Sequence, residues 1–200
     1  LTTFSFAVSA ADESGGQKGT TSIASLTELL SVDKYTAYKV RYRDVARAAQ
    51  TVTIDATDFS AENTTASIGN GDTDVRIVEY ADMDNDGNYV SGTEQKGLYC
   101  PDAGAVGWEV DIPETGMYAI SIEYYPVEGK VTSIQRTLYI DGKVPFYEAR
   151  FLTFTKVWSD VYDSGYDGTR DTAFTKDILG NEIKPDKIQT PVWRNYDFTD

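Results

Sequence analysis

The spacing of apolar residues changes from helical to strand-like about a quarter of the way along the chain. Residues 25–49 place apolar side chains at intervals of three and four, which predicts an amphipathic helical segment. After Gln50 the interval becomes two, and it stays two for most of the remaining length. This alternation, with many β-branched and aromatic residues, predicts strands at residues 51–59, 75–80, 105–112, 117–125, 131–140 and 144–155.

Turn signals separate the predicted strands, among them residues 70–72, 113–116, 128–130 and the Asp141-Gly142 pair. Many strands joined by short turns, with almost no helix after residue 50, indicate a mainly β fold. We expect an antiparallel β-sandwich of the jelly-roll, galactose-binding-like type, preceded by one N-terminal helix. The sandwich is assigned to residues 50–200 and is expected to be truncated at its C-terminal end.

The first residues have the character of an export signal. Residues 1–10 (LTTFSFAVSA) are apolar and small, with Val8 and Ala10 at the spacing that precedes a cleavage site, and a run rich in Gly, Ser and Thr follows. We expect residues 1–10 to be a signal-peptide remnant and residues 11–24 a flexible leader; a short N-terminal strand is the alternative. The signal predicts a protein that is secreted or associated with the cell surface. No segment reaches the ~18 apolar residues of a membrane span.

Composition and charge exclude several function classes. The 200 residues carry 32 acidic and 18 basic side chains, for a net charge of −14, and include no histidine. Such a chain repels phosphate backbones, so a nucleic-acid partner is not expected. Without histidine there is neither a Ser-His-Asp triad nor a His-ligated zinc site, and the single cysteine, Cys100, cannot form an intrachain disulfide. Carboxylate-pair catalysis stays open, but 32 carboxylates make any particular pair uninformative, and we expect no enzyme activity.

One acidic run has the composition of a calcium loop. Residues 82–88 read Asp-Met-Asp-Asn-Asp-Gly-Asn, and alternate carboxylates with a glycine supply the oxygens and the turn that Ca²⁺ requires. Position twelve of an EF-hand would be Thr93, with Glu94 one residue late, so a true EF-hand is not expected. The alternative is an acidic, solvated turn. The predicted Ca²⁺ ligands are Asp82, Asp84, Asp86 and Asn88.

The chain has more aromatic residues in its predicted strands than a core needs. Tyr124 and Tyr125 are neighbours in one predicted strand, so their rings must face opposite sides of the sheet. Exposed aromatic rings beside carboxylates and amides suit sugars, which stack their C–H faces on the rings. Core packing remains the more common use of any single aromatic residue.

Several motifs resemble a known family. They are Pro-x-x-Gly-x-Tyr at 113–118, Tyr-Tyr-Pro-x-x-Gly at 124–129, Ile-Asp-Gly-Lys-x-Pro-Phe-x-Glu-Ala at 140–149, and Pro-x-Trp at 191–193. Together they resemble the carbohydrate-binding-module-like β-sandwich at the N-terminal side of large bacterial extracellular solute-binding proteins of carbohydrate ABC transporters, especially in Firmicutes.

The resemblance implies a non-catalytic carbohydrate-binding module involved in glycan or oligosaccharide uptake, with an ABC permease as a partner through a downstream domain. The predicted sugar contacts are Tyr125, Arg136, Trp158 and Trp193, with Asp141 and Glu148 as polar partners. Arg136 and Asp141 have an alternative role as an ion pair that braces a hairpin. For the whole chain, the alternatives are a spacer or protein-interaction sandwich that binds no sugar, and the accessory module of a glycoside hydrolase.

Overall fold

The computed structural model describes the backbone of residues 2–9 and, with their side chains, residues 32–162, 168 and 174–198. The predicted flexible leader, residues 11–24, lies outside the described residues, as do residues 25–31 of the predicted helical segment.

The described residues form ten strands, one α-helix and one turn of 3₁₀ helix, and none of the helices is long and apolar enough to cross a membrane. In chain order the elements are β1 (Thr2–Ser9), α1 (Tyr35–Arg41), β2 (Arg76–Tyr80), β3 (Gln95–Tyr99), β4 (Ala105–Asp111), β5 (Ser121–Tyr124), β6 (Ile134–Ile140), the 3₁₀ turn (Tyr147–Arg150), β7 (Leu152–Phe154), β8 (Trp158–Asp160), β9 (Lys187–Gln189) and β10 (Arg194–Asp197).

The largest sheet has four strands in the order β4-β1-β6-β7. Strand β1 runs parallel to both of its neighbours, whereas β6 and β7 are antiparallel. The pairs β2-β3, β5-β10 and β8-β9 are separate two-stranded antiparallel sheets. The mainly β class with one helix is therefore confirmed, and the pairing is antiparallel everywhere in the described strands except at β1.

The helix docks on the 3₁₀ turn rather than on a sheet face. The rings of Tyr35 and Tyr38 lie 4.7 and 5.5 Å from that of Phe146, measured between centroids. The Glu148 carboxylate accepts a 2.8 Å hydrogen bond from the backbone N–H of Tyr35, a donor that lacks a partner within the first helical turn. Aromatic contacts and one carboxylate thus hold the helix, which spans Tyr35–Arg41 of the predicted segment 25–49.

Three predicted strands differ from the structure. Of residues 117–125 only Ser121–Tyr124 form a strand. Residues 51–59 alternate as a strand should, yet they form an irregular segment. The reason is a local turn: Asp55 accepts hydrogen bonds of 2.8 and 2.7 Å from the backbone N–H and hydroxyl of Thr57. In the predicted strand 144–155 only Leu152–Phe154 is extended, because the preceding residues turn to bury Ala149 completely. The Asp141-Gly142 turn is confirmed, with the positive φ angles of 50° and 72° that a type I′ hairpin needs.

The core consists of two clusters on different strands of the large sheet. One belongs to β6, β7 and the loop between them: Leu138, Tyr139, Val144, Ala149, Leu152 and Phe154. The other surrounds β4: Ala66, Val75, Val106, Trp108 and Val110. Strand β1 lies between the strands that carry them.

Candidate functional site

Two of the predicted sugar contacts lie together. The rings of Tyr125 and Trp193 are 5.3 Å apart between centroids, and Tyr125 stacks on Tyr80 at 4.6 Å with the ring planes 1° from parallel. We call Tyr80, Tyr125 and Trp193 the aromatic cluster. The neighbouring Tyr124 packs against Phe154 at 4.9 Å, so the two adjacent tyrosines face different surroundings, as the strand alternation predicts.

Hydrogen bonds fix the aromatic cluster to one short stretch of backbone. The Tyr125 hydroxyl donates to the carbonyl oxygen of Ala81 at 2.9 Å, and the indole Nε1–H of Trp193 donates to that of Tyr80 at 2.9 Å. The backbone N–H of Trp193 donates to the Asp82 carboxylate at 2.7 Å. Burial, with smaller contributions from the Tyr89 hydroxyl and the Asp82 charge, raises the pKa of Tyr125 to about 12, so this phenol stays protonated and donates.

A glycine makes room for the indole. Gly97 in β3 is buried and pairs with Val78 of β2. A Cβ built on Gly97 would lie 2.9 Å from Cη2 of Trp193, closer than carbon atoms pack. The backbone of Gly97 therefore lies directly against the indole ring of Trp193. Sequence reasoning missed this dependence, because the pattern predicted no strand at residues 95–99 and so gave Gly97 no special position.

Tyr89 is an exposed aromatic residue on the hairpin formed by the acidic run. Its side chain is 64% exposed, and residue 89 pairs with Met83 in an antiparallel bridge. Sequence reasoning did not select Tyr80 or Tyr89. The sequence feature that could have pointed to them is their position on either side of the acidic run at residues 82–88.

The acidic run forms a tight hairpin closed around one carboxylate. Asp84 Oδ1 accepts hydrogen bonds from the backbone N–H groups of Asp86 and Asn88, at 2.9 and 2.8 Å. The backbone N–H of Asp84 donates to Asn88 at 2.9 Å, and that of Gly87 donates back to Asp84 at 3.1 Å. These donors hold the pKa of Asp84 below its usual range, the Asn88 amide having the largest effect.

The same loop occurs a second time in the chain. Asp177 accepts backbone hydrogen bonds of 2.8 Å each from Leu179 and Asn181, its own N–H donates to Asn181 at 2.9 Å, and Gly180 donates to it at 3.0 Å. The two glycines have φ angles of 82° and 84°. Both loops read Asp-x-x-Gly-Asn, at residues 84–88 and 177–181, and we call them the twin loops.

The twin loops bear on the calcium prediction. The second loop has the same geometry with Ile178 and Leu179 between its aspartate and glycine, so this hairpin conformation does not require extra carboxylates. One carboxylate oxygen of Asp82 and one of Asp84 already accept backbone N–H groups. Within residues 32–162, 168 and 174–198, no group of three or more His, Cys, Asp or Glu is arranged to hold a metal ion. Ca²⁺ binding by residues 82–88 stays a prediction.

The first twin loop is attached to the last part of the chain. The Ser159 hydroxyl donates to the Asn85 side chain at 3.1 Å and lies 2.9 Å from the Thr190 hydroxyl. The backbone N–H of Met83 donates to the Pro191 carbonyl at 2.8 Å. The loop, β8 and the segment before Trp193 are therefore hydrogen-bonded to one another.

Trp158 and Glu148 lie at other places. Trp158 begins β8, opposite Gln189, and is 36% exposed. Among the described residues, the ring contacts of the aromatic cluster do not include it. Glu148 is engaged at the start of α1 through its hydrogen bond from Tyr35.

Arg136 is buried, with only 8% of its surface exposed. Its guanidinium donates to the backbone carbonyls of Gln135 and Cys100, at 3.0 and 3.2 Å, and burial lowers its pKa. The acidic residue that favours its charge is Asp102, while the cation that acts on Asp141 is Lys143. Burial, the larger effect, raises the pKa of Asp141. The structure thus brings the rings of Tyr125 and Trp193 into contact, whereas the hydrogen bonds of Glu148 and Arg136 go to other parts of the chain.

No protein-family model, curated protein or solved structure matches this chain.

Proposed function

We propose that this chain is a non-catalytic carbohydrate-binding module of a secreted bacterial solute-binding protein that takes part in glycan or oligosaccharide uptake. The observation that supports this proposal best is the aromatic cluster, bonded to Ala81 and Asp82 at the start of the hairpin that carries the exposed ring of Tyr89. An exposed ring next to hydrogen-bonding side chains on a fixed loop suits a sugar, whose C–H face stacks while its hydroxyls bond. As part of this proposal, the two core clusters belong to a jelly-roll sandwich, and the permease is reached through another domain.

The loop beside Tyr89 offers the polar groups that such a ligand needs. Asn85, Asp86 and Asn88 lie at or near its tip, with Ser159 next to it. Their side chains include donors and acceptors suited to sugar hydroxyls. The site takes no part in covalent chemistry, since binding by stacking and hydrogen bonds needs none.

A specific observation favours a second candidate, a spacer or interaction domain that binds no sugar. The polar atoms of Tyr125 and Trp193 both donate inside the fold, at 2.9 Å each, so these two residues already have a structural role. In that case their substitution changes stability and nothing else.

Glycan-array screening followed by calorimetric titration separates the two candidates. Tyr89→Ala should weaken the binding of a positive glycan about tenfold, the equivalent of about 1.4 kcal/mol, without changing the melting temperature. Tyr147→Ala is the matched control, because Tyr147 is also exposed, at 41%, and lies in the 3₁₀ turn.

Two more variants test the tryptophans: Trp158→Ala tests whether β8 contacts the sugar, and Trp193→Phe tests the structural role of the indole. Weaker binding for Trp158→Ala at an unchanged melting temperature would add β8 to the sugar site. A folded protein that binds no glycan, with Trp193→Phe lowering only the melting temperature, would overturn the carbohydrate proposal and support the spacer.

A further inference from the structure

The second twin loop is the tip of a hairpin that projects into solvent. Residues 175–184 are exposed at every position. The backbone N–H of Ile183 donates to the Thr175 carbonyl at 2.8 Å, which closes the hairpin below the loop. A Cβ built on Gly180 would meet no atom within 4 Å, so open space surrounds the turn itself.

Two aliphatic side chains occupy this tip. Ile178 is 102% exposed and Leu179 is 81% exposed, and among the large apolar residues that the structure describes these two are the most exposed. Ile183, on the returning arm of the hairpin, is exposed as well. Single exposed apolar residues are ordinary on a protein surface, but neighbouring ones grouped on a projecting turn are typical of an interaction site.

The first twin loop shows that the turn does not need these side chains. It has Asn85 and Asp86 at the equivalent positions and adopts the same hairpin conformation. It also lies against the protein, because a Cβ built on Gly87 would be 3.3 Å from Cδ1 of Ile188. The loop with the polar tip thus packs on the molecule, whereas the loop with the aliphatic tip faces solvent. Burial within this chain would favour the opposite arrangement.

Charge argues against two of the surfaces that such a tip fits. The chain has a net charge of −14, so two copies repel each other, and an anionic membrane repels each copy. The amount of apolar surface argues against lipid in general. The Ile178 and Leu179 side chains have about eight carbons between them, roughly half of a myristoyl chain, which by itself gives only marginal membrane binding.

A pocket on another protein suits the tip better. Protein interfaces have an apolar centre, often a few side chains that fill a pocket, within a polar rim. The hairpin has this arrangement, because charged residues flank its aliphatic tip on both arms: Lys176, Asp177, Glu182 and Lys184. The turn is also fixed in advance. Asp177 accepts hydrogen bonds of 2.8 Å each from the backbone N–H groups of Leu179 and Asn181, so binding costs little ordering entropy.

We propose that residues 175–184 are a docking hairpin that inserts Ile178 and Leu179 into an apolar pocket on another protein. The surface around that pocket is basic, which complements the net charge of −14 and speeds the encounter. The docking hairpin does not depend on the proposed sugar site, since neither aliphatic residue belongs to the aromatic cluster.

The test begins with photo-crosslinking from a position beside the tip. The full chain, with p-benzoylphenylalanine in place of Ile183, is irradiated in the cells that produce it, and the crosslinked protein is identified and purified. Calorimetry then compares its binding to the wild type and to the variant Ile178→Asn with Leu179→Asp, which copies the first loop and should fold. We expect at least a hundredfold weaker binding for this variant, the equivalent of about 2.7 kcal/mol.

Two further variants separate lost aliphatic surface from added charge. Val131→Asp adds the same charge at an exposed apolar residue outside the hairpin, and its binding should stay within about twofold of the wild type. Ile178→Ala with Leu179→Ala removes aliphatic surface without adding charge, and it should weaken binding at least tenfold. Association with the wild type should slow as salt is added, because the partner's surface is basic.

The same variants decide against the proposal if it is wrong. A purified partner that binds the wild type and both tip variants equally would overturn it, as would irradiation that yields no crosslinked protein or only crosslinked copies of this chain. Sedimentation with phosphatidylcholine and phosphatidylglycerol vesicles tests the membrane. Binding of the wild type to either vesicle, lost in Ile178→Asn with Leu179→Asp, would assign the tip to lipid and overturn the protein pocket.

Discussion

The substitution Gly97→Ala tests the close contact between the Gly97 backbone and the Trp193 indole. The added Cβ would lie 2.9 Å from Cη2 of Trp193, whereas carbon atoms pack at about 3.5–4.0 Å, so the indole or β3 has to move by roughly 0.6 Å or more. Overpacking of this kind costs about 1–3 kcal/mol. Without the contact, replacing glycine by alanine in an ordinary strand conformation would stabilise the protein by about 0.4–1 kcal/mol. The sign of the change in unfolding free energy therefore reports whether Trp193 lies there.

We expect Gly97→Ala to lower the free energy of unfolding by about 1–2 kcal/mol, which for a chain of this length lowers the melting temperature by about 2–8 °C. The assay is urea and thermal unfolding followed by circular dichroism. A double-mutant cycle with Trp193→Phe isolates the contact, because phenylalanine lacks the outer ring of the indole. The single Trp193→Phe variant loses its hydrogen bond to the Tyr80 carbonyl, at about 1 kcal/mol.

In the double variant the alanine no longer meets the indole, so the two changes should cost less together than their sum, by about 1–2 kcal/mol. Additivity within about 0.5 kcal/mol, or a Gly97→Ala protein as stable as the wild type, would refute the reasoning. Either result would mean that the Trp193 indole does not pack against the Gly97 backbone.

Two further predictions concern ionisable groups. The pKa values of Asp84 and Asp177 are lowered in the folded protein by the amides they accept, so their contribution to stability is present above the ordinary carboxyl pKa and is lost as pH falls through the folded value. We expect Asp84→Asn to reduce the loss of melting temperature between about pH 5 and about pH 2, with Asp72→Asn, at a fully exposed carboxylate, as the control; an unchanged pH profile would contradict this. Burial of the thiol raises the pKa of Cys100 to about 12, and its Sγ donates to the Leu98 carbonyl at 3.6 Å. Ellman's reagent should label it in urea but not in the native protein near pH 8, and rapid native labelling would contradict the assignment.

The parts of the fold that the sequence predicts well are those in which local pattern and tertiary packing agree. Strands β2, β4 and β6 follow from alternation, and the Asp141-Gly142 hairpin follows from turn chemistry. Residues 51–59 alternate equally well but are not a strand, because Asp55 closes a turn with the Thr57 side chain and backbone. The alternation there places Val52 and Ile54 against the core without any ladder. Periodicity reports which residues are buried more reliably than it reports hydrogen bonding.

The strands that pattern reading missed are short or lack an apolar period. Strand β3 reads Gln-Lys-Gly-Leu-Tyr, and it is a strand because β2 pairs with every residue of it. Strands β8 and β9 have three residues each, too few to show a period. For the candidate site the limit is similar. Alternation places Tyr125 on the face opposite Tyr124, but its partners Tyr80 and Trp193 are distant in sequence, and only the fold brings them together.

Comparison of the twin loops separates the residues of the acidic run that form the hairpin from those that have another role. Asp84, Gly87 and Asn88 have counterparts in Asp177, Gly180 and Asn181, and these three residues account for the hairpin in both places. Asp82 lies outside the shared motif, and it has its own task of accepting the Trp193 backbone N–H at 2.7 Å. Asp86 is replaced by Leu179 in the second loop, so its carboxylate is not needed for the turn. The Asp86 carboxylate is therefore the group of the first loop that a cation or a sugar hydroxyl can use without competing with the turn. We expect Asp86→Leu, which copies the second loop, to remove that carboxylate and leave the hairpin intact.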